Sequence, residues 1–228
     1  MKIAVFGAGG RSGQALVEAA VKRGHGVIAA EHDWPFETPA ASAIERRTAD
    51  VMTDNLETII EGTDTVISAL SLGLSAETIF DPPPLYTEGT LRITEAMQST
   101  GVKRLLVISA TFVESRDIGP LWFQMTARNA LANIYRQMGD MERVLRAQSG
   151  LEWTAARAGW LLDRPFTGDY TVQENRIADG TLRTRCEDLA DFMIREAEQG
   201  DWICKTPAIS RKEARHLESP PALLEELR

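Results

Sequence analysis

Apolar and polar positions alternate along the chain in blocks, short apolar runs followed by amphipathic stretches. Lys2-Ile-Ala-Val-Phe6 is the first such run; Gly7-Ala-Gly-Gly-Arg-Ser-Gly13 follows it, and Ser12 to Lys22 is amphipathic at helical spacing. That is a strand, a glycine turn and a helix. Val27–Ala30 reads as a second strand, ending at Glu31-His32-Asp33, and Arg46 to Asp50 as a third. A brief helix over Leu56–Glu61 stops at Gly62, and Thr65–Ala69 is the fourth strand. Tyr86–Ser99 carries Leu91, Ile93, Ala96 and Met97 near helical spacing and ends at Gly101. Val102–Ser109 contains the unbroken run Leu105-Leu-Val-Ile108 expected of a central strand buried on both faces. Gly119–Gln148 reads as long and largely helical, with a core stripe through Met125, Ala130, Leu131, Ile134, Met138, Met141 and Leu145. Leu151–Arg157 gives a sixth strand, Glu187–Glu198 a helix and Trp202–Cys204 a closing strand.

The remaining stretches read as connections. Trp34–Ile44 is a loop with a short helix, Leu70–Asp81 a loop, and Asp163–Tyr170 a polar and aromatic loop of the kind that covers a site. Strands alternating with helices predict an α/β protein: a Rossmann-like doubly wound parallel sheet in three layers, α/β/α. We expect one domain over residues 1–209 and a tail over 210–228, mobile or docked as a short helix through Leu223 and Leu224 after Pro220-Pro221.

Composition narrows the partners. The formal charge of −8, without a basic block interleaved with aromatics, argues against nucleic acid. Runs of apolar residues stay well short of the ~20 that span a bilayer, and the chain enters a strand at once, so we expect no membrane segment and a cytoplasmic protein. Cys186 and Cys204 fit neither a metal knuckle nor a redox pair and read as reduced structural residues; His25, His32 and His216 form no ligand set, so no metal is expected.

The chemistry concentrates at strand ends. In the turn, Gly7, Gly9, Gly10, Arg11, Ser12 and Gly13 suit a pyrophosphate: glycines admit it to the main chain, and helix-start N–H groups hold it. A purely structural turn is the alternative. At the second strand's end, Glu31 and Asp33 favour the ribose hydroxyls of NAD, whereas His32 and Arg11 suit the 2′-phosphate of NADP. Arg11, beside the phosphate site, tips the reading to NADP with NAD possible; a solvated turn arginine is its bland counterpart. Asp50-Val51 falls where adenine is edged, or Asp50 caps the next helix. Ser109 and Thr111 end the fifth strand, where nicotinamide would project, as candidate catalytic hydroxyls, or else bond nearby backbone. Phe112, Trp122, Trp160 and Phe166 are candidates for an aromatic wall against a planar substrate, each with core packing as the alternative.

The residues resemble the atypical short-chain dehydrogenase/reductase superfamily in its NmrA-like NAD(P)-binding branch. The likeness rests on Gly7-x-x-Gly10-x-x-Gly13, Asp50-Val51, Val66-Ile-Ser-Ala69, Glu88-Gly89 and Gly150-Leu-Glu-Trp-Thr154 before Arg157. Within the branch, Arg164-Pro-Phe-Thr-Gly-Asp-Tyr-Thr-Val172 and Glu187-Asp-Leu-Ala190 are similar to the biliverdin-IXβ reductase or NAD(P)H flavin reductase family. The resemblance implies that Gly10, Arg11, Ser12 and Gly13 hold the pyrophosphate. It puts His32 where the family has a 2′-phosphate arginine, and Ala69, Leu70 and Ser109 along the nicotinamide half.

Two departures shape the expected activity. The Tyr-x-x-x-Lys pair of catalytic short-chain dehydrogenases is absent: counted back from Glu142 the positions are Ile134 and Met138, and Tyr135 is followed four residues on by Gly139. Trp160 stands where biliverdin reductases of this type have a pocket histidine. The expectation is an NAD(P)H-dependent oxidoreductase passing hydride to a flat conjugated acceptor: a flavin, quinone or bilin. A non-catalytic NAD(P)-binding redox sensor is the alternative.

Overall fold

In the computed structural model, residues 1–34, 43–73, 75–115, 117–119, 121–125, 131–219 and 222 are described. The expected short helix within 34–44, Ala130, the Trp122 side chain, Pro220-Pro221 and the Leu223-Leu224 segment fall outside them.

The first half follows the predicted alternation. In order come β1 (Lys2–Phe6), α1 (Arg11–Lys22), β2 (Gly26–Glu31), β3 (Ile44–Thr48), α2 (Glu57–Ile60), β4 (Thr65–Ser68), α3 (Ala76–Phe80), α4 (Leu85–Thr100) and β5 (Arg104–Ala110). A 3₁₀ turn, Thr111–Val113, leads to α5 (Leu121–Met125) and α6 (Ala132–Ala147). The rest is β6 (Glu152–Ala158), β7 (Trp160–Leu162), β8 (Thr171–Glu174), β9 (Arg183–Arg185), α7 (Cys186–Gln199) and β10 (Pro207–Ser210).

Eight strands form one sheet in the order β3-β2-β1-β4-β5-β6-β10-β8. All neighbours are parallel except β10 and β8, which pair antiparallel with Ile209 opposite Val172. The reversal of order at β1, between β2 and β4, is the point at which open α/β sheets bind ligands. Alternate residues of each strand face opposite helical layers. Ile3, Val5, Ile67 and Leu106 pack against Leu16 and Ala20 of α1 and Leu189 and Met193 of α7. Ala4, Phe6, Val66, Leu105 and Val107 pack against Ile93 and Met97 of α4 and Met141 and Leu145 of α6. The predicted three-layer, doubly wound arrangement is therefore present. β7 and β9 make a separate two-stranded parallel pair beyond the sheet.

Several expected elements differ. Trp202–Cys204 is a turn, fixed by Cys204 N–H donating to the Trp153 carbonyl, and the strand beside β6 is Pro207–Ser210. Thr171–Glu174, read as loop, is an edge strand, and the Leu70–Asp81 loop contains α3. The long helix of Gly119–Gln148 has α5 and α6 as its described helices, and Met125 of the expected stripe is exposed.

Candidate nucleotide-binding cleft

Above the carboxyl ends of β1, β2 and β4 lies an open cleft of about 380 Å³. Gly7, Gly10, His32, Asp50, Val51, Ala69 and Leu70, all expected at a nucleotide site, line it together with Glu31 and Leu72.

The glycines have separate reasons. A Cβ on Gly13 would lie 2.0 Å from the Gly7 carbonyl oxygen, so α1 can start this close to the turn only with glycine there. Gly7 has φ +75° and a Cβ on it would meet Ala69 O at 2.6 Å. Gly10 is different: the nearest atom to a Cβ there is Gly7 O at 3.6 Å, ordinary contact. Packing within the protein does not demand glycine at 10, whereas a ligand lying on that backbone would. Gly10 is also the residue before α1 and offers no side-chain cap, so the helix-start N–H groups of Ser12 and Gly13 lack intrahelical partners. Ser12 Oγ lies 3.8 Å from Cys186 Sγ, which puts the start of α7 beside the turn.

Glu31 links the turn to the end of β2. Its carboxylate accepts the Gly9 N–H at 2.9 Å and the His32 backbone N–H at 3.0 Å. His32 Nδ1 also lies 2.8 Å from Glu31 Oε1, while the ring is exposed. Beyond β3, Asp50 Oδ1 accepts the Met52 N–H at 2.8 Å, and Arg92 donates to the Val51 and Asp54 carbonyls, both at 2.8 Å. Asp50 therefore stabilises its own turn, and α2 begins instead with Asn55 Oδ1 accepting the Glu57 N–H. At the other end of the cleft, Leu72 N–H donates to the Tyr86 hydroxyl at 3.4 Å. Burial pushes the Tyr86 phenol up.

Past β5 the picture departs from the expected one. Ser109 Oγ donates to Glu142 Oε1 at 2.8 Å, under the sheet and 1% exposed. Thr111 is fully buried, its Oγ1 accepting the Ile177 N–H at 3.4 Å. Both hydroxyls are thus held by protein partners. Ser109 belongs to an ion cluster in which Glu142 and Arg157 are buried and Glu114 is exposed: Arg157 donates through Nε and Nη2 to Glu142 at 2.9 and 2.6 Å, through Nη1 and Nη2 to Glu114 at 2.8 Å, and to the Asn175 carbonyl. The guanidinium holds the Glu114 carboxyl below the usual carboxylate range, its hydrogen bonds outweighing partial burial. A charged residue near the end of the otherwise uncharged stretch of β6 after Glu152 was the signal for this cluster in the sequence.

Of the aromatic candidates, Phe112 and Trp160 belong to a packed row. Tyr135 and Phe123 each have ring centroids 5.3 Å from Phe112, and Phe123 meets Trp160 edge-on at 5.2 Å. Trp160 is therefore core, while Phe112 and Tyr135 reach a second cavity beside α6. Phe166 is half-exposed on a loop tied to the start of α7: Phe166 N–H donates to Glu187, and Thr167 and Gly168 N–H groups donate to Asp188. Arg211 pairs with Asp169 and Glu213, and Arg185 with Glu213, so the loop is also fastened to residues 211–213. Among the described residues no His, Cys, Asp and Glu gather as a metal site, and no helix is long and apolar enough to cross a membrane.

Comparison with known proteins agrees with this geometry. An uncharacterized chloroplastic protein of Arabidopsis thaliana is 24% identical over 194 residues, covering 79% of this chain and 67% of that protein. An oxidoreductase from Lactococcus lactis superposes with TM-score 0.76 at 20% identity, over 100% of this chain and 97% of its own. A Streptococcus pneumoniae protein assigned as an NADH-flavin reductase gives TM-score 0.73 at 23% identity, over 93% and 100%. At these identities the structural likeness is one of fold. Residues 7–199 match the NAD(P)H-binding family, and the chain belongs to it.

Proposed function

We propose that this protein is an NAD(P)H-dependent reductase that passes hydride to a flat conjugated acceptor such as a flavin or quinone. The observation that carries the reading is the occupation of Ser109: its hydroxyl is committed to Glu142, and Ile134, in the register of the absent tyrosine, is packed in the core. Among the described residues, the free serine, tyrosine and lysine of the alcohol proton relay are therefore not assembled at the end of β5. Reduction of a conjugated acceptor needs none, because a solvent proton suffices.

The chain's own part is to bind and orient. The residues of the cleft fit a dinucleotide, as the space over Gly10 indicates. Bound there, the nicotinamide supplies the hydride. Gly7–Gly13 and the start of α1 hold the pyrophosphate, Asp50 and Val51 edge the adenine, and Ala69, Leu70 and Leu72 direct the other half towards β5. Glu31, anchored by two backbone N–H groups, meets the ribose hydroxyls and opposes a 2′-phosphate. We therefore assign NADH as the preferred reductant, in place of the NADP that Arg11 suggests in the sequence, with Arg11 the residue that admits NADPH.

The test follows absorbance of NADH and NADPH with the purified protein and flavin mononucleotide, a quinone or biliverdin. Oxidation by a flavin or quinone is expected. Tight nucleotide binding with no oxidation by any acceptor would replace the reductase with a redox sensor.

A further inference from the structure

A cavity of about 460 Å³ runs along one flank of α6, between that helix and the segment Phe112–Glu114 that follows β5. Ala132, Tyr135, Arg136, Gly139, Arg143 and Arg146 line it at helical spacing. Its two ends differ chemically. Towards β5 it is aromatic, with Phe112 and Tyr135 inclined at 42°. Burial pushes the Tyr135 phenol well above its usual range, so it remains an O–H donor at neutral pH. Farther along α6 it is cationic.

The charges there do not cancel. Glu142 and Glu114 are engaged by Arg157 from inside and by Arg146, and Asp140 pairs with Arg143. Arg136 donates to neutral Asn133 Oδ1 at 3.1 Å. The cavity's own lining sets Arg136, Arg143 and Arg146 against Glu114, Asp140 and Glu142, and the buried Arg157, bonded to Glu142 and Glu114 from behind, tips this cluster to a positive charge in a chain of net −8. A positive site on an acidic protein concentrates anions locally.

Resting on the reductase reading, we infer that this cavity takes the acceptor, and that the acceptor is a planar molecule bearing an anionic group, a phosphate monoester or a carboxylate. Its ring system lies against Phe112 and Tyr135, next to the end of β5 towards which the cleft directs the hydride donor. Its anionic group reaches Arg136 and Arg143 on the outer turns of α6. Guanidinium groups suit this task because their paired N–H donors match phosphate and carboxylate oxygens.

Flavin mononucleotide and riboflavin share one ring system and differ in the phosphate, so together they isolate the claim. Binding is read from quenching of flavin fluorescence without any nicotinamide nucleotide, and turnover from NADH oxidation. The intact protein should bind flavin mononucleotide about tenfold more tightly than riboflavin at low ionic strength, with the gap narrowing as salt is added. Arg136→Ala with Arg143→Ala should weaken flavin mononucleotide to the riboflavin level and leave riboflavin unchanged, and the corresponding pair of lysine substitutions should recover part of the loss. Equal binding of the two flavins by the intact protein, or an unchanged preference in the alanine variant, would overturn the inference. Flavin mononucleotide preferred but never reduced would uphold the cavity and remove the reductase reading; both flavins reduced without preference would do the reverse.

Discussion

Glu142 and Arg157 face each other between the sheet and α6, each fully buried, with Nε to Oε1 at 2.9 Å and Nη2 to Oε2 at 2.6 Å. Ser109 completes the contact from β5. Removing Glu142 leaves the buried Arg157 with the exposed Glu114 as its remaining carboxylate partner. Glu142→Ala should therefore cost about 3 kcal/mol or more of folding stability, measured by denaturant unfolding. A change under about 0.5 kcal/mol, the size usual for surface substitutions, would show that the pair contributes nothing to the fold.

Ser109 itself separates structure from chemistry. Ser109→Ala removes one hydrogen bond from Glu142 and should lower stability by about 1 kcal/mol while kcat with a flavin stays within about twofold. A loss of about a hundredfold or more, the scale of general acid–base contributions, would return Ser109 to the reacting centre.

The glycine turn yields a paired prediction. Gly13→Ala places a Cβ 2.0 Å from the Gly7 carbonyl and should abolish soluble, folded protein. Gly10→Ala meets only ordinary contact and should fold normally, yet lose nucleotide affinity, read by NADH fluorescence titration. Retained affinity in Gly10→Ala would place the pyrophosphate elsewhere.

Glu31→Gln keeps one of the two side-chain oxygens that accept the Gly9 and His32 N–H groups, turns the other into an amide donor, and removes the charge that opposes a 2′-phosphate. The kcat/KM ratio for NADPH over NADH should rise by about tenfold, equivalent to ~1.4 kcal/mol. Arg11→Ala should move the ratio the other way. No change with either would detach cofactor choice from this end of β2.

The loop over 164–170 has a predictable pH response. Hydrogen bonding from Arg211 holds the Asp169 carboxyl down to about 2, below its ordinary 3.8. A depressed folded pKa means the stabilisation is complete above about pH 4 and fades as pH falls through about 2. Amide protection of the loop should accordingly stay level from neutral pH to about pH 4, whereas Asp169→Asn should reduce it throughout.

β1, β2, β4, β5 and β6 were readable because parallel strands buried on both faces give continuous apolar runs such as Leu105–Ile108, whereas the charged edge strand β3 runs over Ile44–Thr48, two residues before its expected place at 46–50. The cleft was readable for a related reason: Gly7, Gly13 and the ends of β2 and β4 follow directly from where those runs stop. Pro207–Ser210 was hidden by its brevity and its opening proline, while Trp202 beside it carried more apolar weight but forms a turn. Thr171–Glu174 pairs through backbone at the sheet's edge, where side chains need not be apolar. The pairing of Ser109 with Glu142, 33 residues away, has no local signature at all. Tyr135 and the arginines of α6 acquire their arrangement only once α6 lies against Phe112.

The sheet's outermost strands, β3 and β8, have a bearing on how the molecule behaves at high concentration. Either could extend the hydrogen-bond ladder into a neighbouring molecule. β3 carries Glu45, Arg46 and Arg47 in succession, and β8 ends in Gln173 and Glu174 with three of its four residues exposed. Charged and polar side chains of this kind make strand addition from a second chain costly. The termination of the sheet is therefore written into its two least apolar strands, which guard the protein against edge-to-edge aggregation.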